Sequence, residues 1–139
     1  YQSMRGQALT IIEGLGQHSV LSRNGVKQRQ YMHELRESRL CFSPFGYGEV
    51  CWRDYEAILS GALLIKPDMS HIETAPDIFR ANETYIPVAW DFSDLAEVMA
   101  WWLAHPNESE KIARQAYQVL HEHARQAQFV EQMGRVFSD

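Results

Sequence analysis

The stretch CFSPFGYGEVCWRDYEAILSGALLIKPD, from Cys41 to Asp68, constrains the fold more than any other part of the chain. It reads as strand, glycine-bearing turn, helix and strand. LCFS at 40–43 is short and apolar and runs straight into Pro44. A helix is expected over about 49–60, stopped by Gly61. ALLIK at 62–66 is a continuous apolar run, the pattern of a strand buried on both faces.

The flanking sequence repeats this alternation. MRGQALTIIE at 4–13 can form a helix ended by Gly14 and Gly16. HSVLS at 18–22 reads as a short strand and RNG at 23–25 as a turn. Between Lys27 and Arg39 apolar residues fall at 31, 32 and 35, which is helical spacing on a charged segment. TYIPV at 84–88 is a third strand, placed by Pro87 at an edge or near its end. Ser93 can cap a helix to His105, with apolar residues at 92, 95, 98, 99, 102 and 103. Asn107 and Glu110 have capping-box spacing for a second helix, continued by Ile112, Ala116, Val119 and Leu120. The closing FVEQMGRVF has apolar residues at 129, 130, 133, 136 and 137, expected to contact a further domain in part.

Strands alternating with helices long enough to cross over imply a mostly parallel sheet covered on both faces. The expected fold is therefore α/β, a small Rossmann-like three-layer sandwich, with residues 1–139 forming one domain. In such sheets ligands bind outside the carboxyl ends of the strands. Two segments fall at that edge: the turn containing Gly46 and Gly48, and the loop after 62–66.

Composition narrows the function classes. A net charge of -5 without a Lys/Arg cluster argues against a nucleic-acid partner. No apolar run approaches the ~20 residues of a membrane span. Cys41 and Cys51 are ten apart, in neither a CxxC nor a zinc-ligand pattern, and sit among apolar neighbours. Both are expected to be buried free thiols, which fits a reducing, cytoplasmic setting. The histidines lack metal-ligand spacing, and His121 and His123 face different ways on a helix. Trp102 fits the apolar face, whereas Trp101 covers a groove or meets another domain. The chain starts at Tyr1 and is expected to be part of a longer protein.

The central helix has two unlike sides. At 100° per residue, Glu49, Arg53, Glu56 and Ser60 lie within about 60° of one another. Cys51, Tyr55, Ile58, Leu59 and Ala62 cluster opposite. One reading is a solvated face with an i, i+4 Glu49–Arg53 pair worth a few tenths of a kcal/mol. The other starts from the turn Gly46–Tyr47–Gly48, where free N–H groups and the helix dipole favour an anion such as a diphosphate. Glu56, further along, can accept bonds from the vicinal hydroxyls of a ribose. Phosphate at the helix start and sugar along its side describe a nucleotide-sugar.

The run SPFGYGEVCWRDYEAILSGALLIKPD resembles the donor-binding motif of GT-B glycosyltransferases, most of all exostosin-like and CgeB-like bacterial members. Arg53, Glu56, Ala57 and Gly61 match its Arg-x-x-Glu-Ala and glycine positions. The downstream DFSDLAEVMAWWLAHPNESEKIARQAYQVL resembles the carboxyl-terminal helices of the same families. The resemblance implies the C-terminal half of a GT-B fold, with an acceptor-binding domain upstream. It implies a nucleotide-diphosphate sugar as substrate, and no cofactor or metal.

By the same resemblance Glu56 holds the ribose, and Arg53 meets the diphosphate and, with Glu49, acts in catalysis. Glu49 departs from the common pattern: it lies seven residues before Glu56 instead of eight. Gly46, Tyr47, Gly48, Lys66 and His71 complete the expected donor site. Lys66 faces phosphate or is solvated; His71 and Glu73 reach the donor's sugar or belong to a polar loop. Peripheral membrane association of the full-length protein is left open, and the alternative function is a non-catalytic binding module.

Overall fold

The computed structural model describes residues 2–15, 25–125, 131 and 135. The expected strand at 18–22 and the apolar positions 129, 130, 133, 136 and 137 lie outside the described residues. In chain order the elements are α1 (Gln2–Glu13), α2 (Gln28–Glu37), β1 (Leu40–Phe42), α3 (Trp52–Leu59), β2 (Leu63–Pro67), β3 (Ile86–Val88), α4 (Leu95–Ala104) and α5 (Pro106–Arg125).

The strands form a parallel sheet in the order β1-β2-β3. Cys41 pairs with Leu64, and Ile65 with Ile86. All five residues of the central β2 are buried. Successive side chains of a strand point to opposite faces, so β2 feeds two cores. Leu64 joins Leu35, Cys41, Ala57, Ile58 and Ala116, from α2, β1, α3 and α5. Leu63 and Ile65 join Ala8, Ile86, Val88, Leu95 and Met99, from α1, β3 and α4. Helices cover both faces, as a continuous apolar strand requires. The expected Rossmann-like α/β architecture is the one observed.

Several boundaries differ from the sequence expectation. The α3 helix begins at Trp52, and residues 47–50 are bends. Its start is set by Asp54, whose carboxylate accepts the Cys51 N–H at 2.9 Å and so satisfies a donor left over at the helix end. Leu59 is not core: it is exposed, and the buried positions of α3 are Asp54, Ala57 and Ile58. The stop at Gly61 holds. Its φ of +83° is open to glycine at little strain, and the N–H groups of Gly61 and Ala62 return to the carbonyls of Ile58 and Ala57, a Schellman closure.

Ser93 does not cap α4; Asp94 stands at that position and accepts the Ala89 N–H at 2.8 Å. Nor does Asn107 cap α5, which opens at Pro106, where a fixed φ and a missing N–H suit the first helical turn. The third strand is confined to 86–88, and it lies at the edge where Pro87 put it. Cys41 is buried and free; Cys51 is also free but only half-buried.

Candidate functional site

All three strands end at one edge, and their connections meet there. Ser43 N–H bonds the Ile65 carbonyl at 2.9 Å and Asp68 N–H the Val88 carbonyl at 3.0 Å, tying each exit to its neighbour. Three groups of side chains are built on this edge and on the helix that follows the first loop.

The first group lies beneath the loop. Lys66, on the face of β2 shared with Leu64, is fully buried and pairs with the equally buried Asp54 at 3.2 Å. Its ammonium also reaches the Ser43 carbonyl at 3.4 Å and sits 5.3 Å from the centre of the Phe45 ring. Asp54 in turn holds Cys51 N–H, and the Cys51 thiol lies 3.2 Å from Ser43 Oγ. Both ends of the 43–51 loop are thus fastened to one dry ion pair. The expectation that Lys66 is solvated or open to phosphate is corrected: a lysine in a doubly covered strand needs an internal counter-ion, and Asp54 supplies it.

The second group is on the surface of the edge. Glu49 lies in the loop, not on the helix, and its carboxylate is 3.6 Å from His71 Nε2. The expected Glu49–Arg53 helical pair therefore does not form, because the helix starts three residues later. His71 and Phe45 each pack against the Trp90 ring, with centroids 5.1 and 5.3 Å away. The Trp90 indole N–H donates to the Asp68 carbonyl at 3.0 Å. One loop from each strand contributes to this cluster.

The third group joins α2 to α3. Tyr31 Oη donates to Glu56 Oε2 at 2.8 Å, with the Arg53 guanidinium close enough to act on the phenol electrostatically. Burial first, and then the bond to Glu56, push the Tyr31 phenol up to about 12. Arg53 is raised above its ordinary value: burial alone would lower it, but the nearby Tyr31 phenol and the thiols prevail. Tyr31 and Arg53 line a cleft of about 730 Å³ whose other described walls include Leu9, Ile12, Leu40 and Met99.

Among the residues expected at the site, the structure therefore gathers Arg53 with Glu56, and Glu49 with His71. Gly46, Tyr47 and Gly48 form the loop between, closed by a Gly46 N–H bond to the Gly48 carbonyl at 3.1 Å. Tyr47 is fully exposed. Neither glycine has a positive φ, and nothing stands within 4 Å of where a Cβ would be. Their effect is to leave the turn bare. The helix dipole is also used differently from expectation: Gly48 is four residues before Trp52, and Asp54 already takes the Cys51 N–H. Glu73 is exposed, as is Trp101, which stacks on His105 at 3.8 Å.

Tyr31, Asp54 and Trp90 were not singled out by the sequence reading. Tyr31 is separated from Glu56 by 25 residues, so only tertiary structure brings them together. Asp54 had a readable signal, since an acid at the third helical position and a lysine in an apolar strand each need a partner. Trp90 follows β3 directly, at the edge where ligands of such sheets bind.

The fold defines a Rossmann-like α/β domain whose three parallel strands end at one edge. A profile described as glycosyl transferase-like matches residues 9–134. The chain belongs to that family, and glycosyl transfer is the activity class that membership supports. No curated protein matches the chain, and no solved structure does.

Proposed function

We propose that the chain is the donor-binding domain of a GT-B glycosyltransferase and takes a nucleotide-diphosphate sugar. The observation that carries this reading is the placing of Arg53 and Glu56 on successive turns of α3, Glu56 bonded to Tyr31 and both residues following a bare glycine loop at the strand ends. A guanidinium and a carboxylate so spaced suit a diphosphate and a pair of ribose hydroxyls. Tyr31 fixes the Glu56 rotamer, so little of that side chain's freedom is lost when the ligand arrives.

In this reading Arg53 opposes the charge that gathers on the departing nucleotide diphosphate, and its partial burial strengthens that interaction. Glu56 uses one oxygen on Tyr31 and offers the other to the ribose. An acceptor-binding domain completes the cleft, so this chain alone binds donor without forming glycoside. Cytoplasmic placement belongs to the proposal; among the described residues no helix is long and apolar enough to cross a membrane.

The test is calorimetric titration with UDP, GDP, ADP, dTDP and their sugars, beside an assay for glycoside formation. Saturable binding of a diphosphate with no transfer by the chain alone is expected. Absence of binding by every diphosphate overturns the donor reading, and transfer by the chain alone overturns the need for a second domain.

A further inference from the structure

Trp90 is ordered as if for contact, although half of it faces solvent. It is 51% exposed, yet its indole N–H is engaged by the Asp68 carbonyl, and Phe45 and His71 pack against it at 89° and 72°. Phe45 is itself buried and lies beside the Lys66 ammonium, so the floor of the cluster is part of the core. An aromatic surface held this firmly by three loops suits a flat, partly apolar ligand. Beside it stand an imidazole and a carboxylate, His71 and Glu49, each more than a third exposed. They can donate to and accept from hydroxyl groups.

A sugar ring has both surfaces: C–H bonds on one face, positively polarised toward an aromatic π-system, and hydroxyls around the rim. The charge of the edge selects further. Loops 43–51, 67–73 and 89–94 contain Glu49, Asp68, Glu73, Asp91 and Asp94 and no lysine or arginine. The cation nearest in sequence, Lys66, is closed off by Asp54. Hydrogen bonds from Ser70 and Ser93 hold the Asp68 and Asp91 carboxyls below their ordinary values, so both stay ionised at neutral pH.

We infer that Phe45, His71 and Trp90, with Glu49, form the subsite for the transferred sugar, and that this subsite takes an uncharged hexose and rejects a uronic acid. The inference rests on the donor reading and adds the chemical class of the sugar. Trp90 supplies the face against which the ring lies. His71, oriented by Glu49, bonds the rim hydroxyls. A carboxylate at the sugar's outer carbon would meet loops rich in carboxylates and without lysine or arginine, whose one imidazole already faces Glu49.

Calorimetry on the wild-type chain and on Trp90→Ala, Trp90→Phe and His71→Ala, with UDP, UDP-glucose, UDP-glucuronate, GDP and GDP-mannose, tests this. Trp90→Ala and His71→Ala are expected to weaken whichever neutral sugar nucleotide binds by about tenfold, the size of one good aromatic or hydrogen-bond contact. The matching free diphosphate should stay within about twofold, and Trp90→Phe should recover most of the loss. The glucuronate is expected to bind at least about tenfold more weakly than the glucose compound. Equal losses for diphosphate and sugar nucleotide, no loss in either alanine variant, or equal binding of the glucuronate overturns the inference while leaving the donor reading standing. If Trp90→Ala fails to fold, His71→Ala and Trp90→Phe decide alone. Absence of diphosphate binding by the wild type sinks the donor reading and this inference with it.

Discussion

Two ion pairs tie β2 or its exit to the β1–α3 connection and the first turn of α3, and they differ in almost every physical respect. Lys66–Asp54 is 3.2 Å long with both side chains fully buried. Glu49–His71 is 3.6 Å long, with 44% and 35% of its side chains exposed, and is ionic only while the imidazole carries a proton. The buried pair must be matched by geometry, since neither charge has water to fall back on. The exposed pair is screened, and either member can exchange its partner for a ligand hydroxyl at little loss. Two contacts at the two ends of one turn thus differ in kind: the dry one holds the turn to the core, and the wet one is the pair that the proposal gives to a sugar.

The largest effect expected from this contrast is on folding. Lys66→Met leaves the Asp54 carboxylate buried without a counter-ion and should destabilise the protein by about 3–5 kcal/mol in urea unfolding. The double variant Lys66→Met/Asp54→Asn removes both charges, while the amide oxygen can still accept Cys51 N–H. It should recover most of the loss. If the single variant loses less than about 1 kcal/mol, the pair is not an anchor and the contrast fails.

Glu56 stands between the two extremes, half-buried and bonded to Tyr31. Glu56→Gln keeps an oxygen for the phenol, so the thermal melt should hardly move. Nucleotide binding should weaken by about 1.5–3 kcal/mol, the range for hydrogen bonds to a charged group. Arg53→Ala should weaken a nucleoside diphosphate far more than the nucleoside, because it removes a phosphate partner. Calorimetry with both ligands on both variants separates the roles. Wild-type binding in both would reduce this face to surface, and loss of the melt in both would make the charges structural.

The same three groups show how far the sequence could be read. The β–α–β unit around Gly61 was legible because it is local: apolar runs, a glycine stop and a helix-length spacer settle it. The start of α3 is misplaced because the helical spacing of the charged face, Glu49, Arg53 and Glu56, extends back to residue 49, whereas Asp54 ends the competition in favour of Trp52 by capping Cys51. Lys66 was misread because charge on a strand says nothing of its partner, and the partner lies 12 residues back on a helix. Arg53 and Glu56 were recognisable as a motif. The bond of Glu56 to Tyr31, and the packing of Trp90 on His71, belong to tertiary structure and have no local sign.

The Tyr31 contact between α2 and α3 gives a smaller, pH-dependent effect. The folded phenol is raised to about 12 from the ~10 of a free tyrosine. The stability this shift represents is complete below about pH 10 and is lost as the pH rises toward 12, because the unfolded chain ionises first. Alkaline urea titrations of wild type and Tyr31→Phe should therefore differ in slope between those limits, with the wild type falling more steeply. Parallel slopes would mean that the phenol is as accessible folded as unfolded.

The smallest effect is assigned to the wet pair, and it sharpens the comparison most. Glu49→Gln should change stability by no more than about 0.5 kcal/mol, since an exposed pair at 3.6 Å gains little Coulomb energy and must hold two side chains in place. Raising the salt to about 1 M, where the Debye length falls to about 3 Å, should remove what difference remains between variant and wild type at low pH. The buried pair should be nearly indifferent to the same salt, because ions do not reach it. Urea unfolding of Glu49→Gln and of Lys66→Met at low and high salt places both pairs on one scale. A loss above about 2 kcal/mol for Glu49→Gln, persisting in high salt, would show that the loop depends on the exposed contact as much as on the buried one. His71 would then be fixed by structure rather than free to meet a sugar hydroxyl.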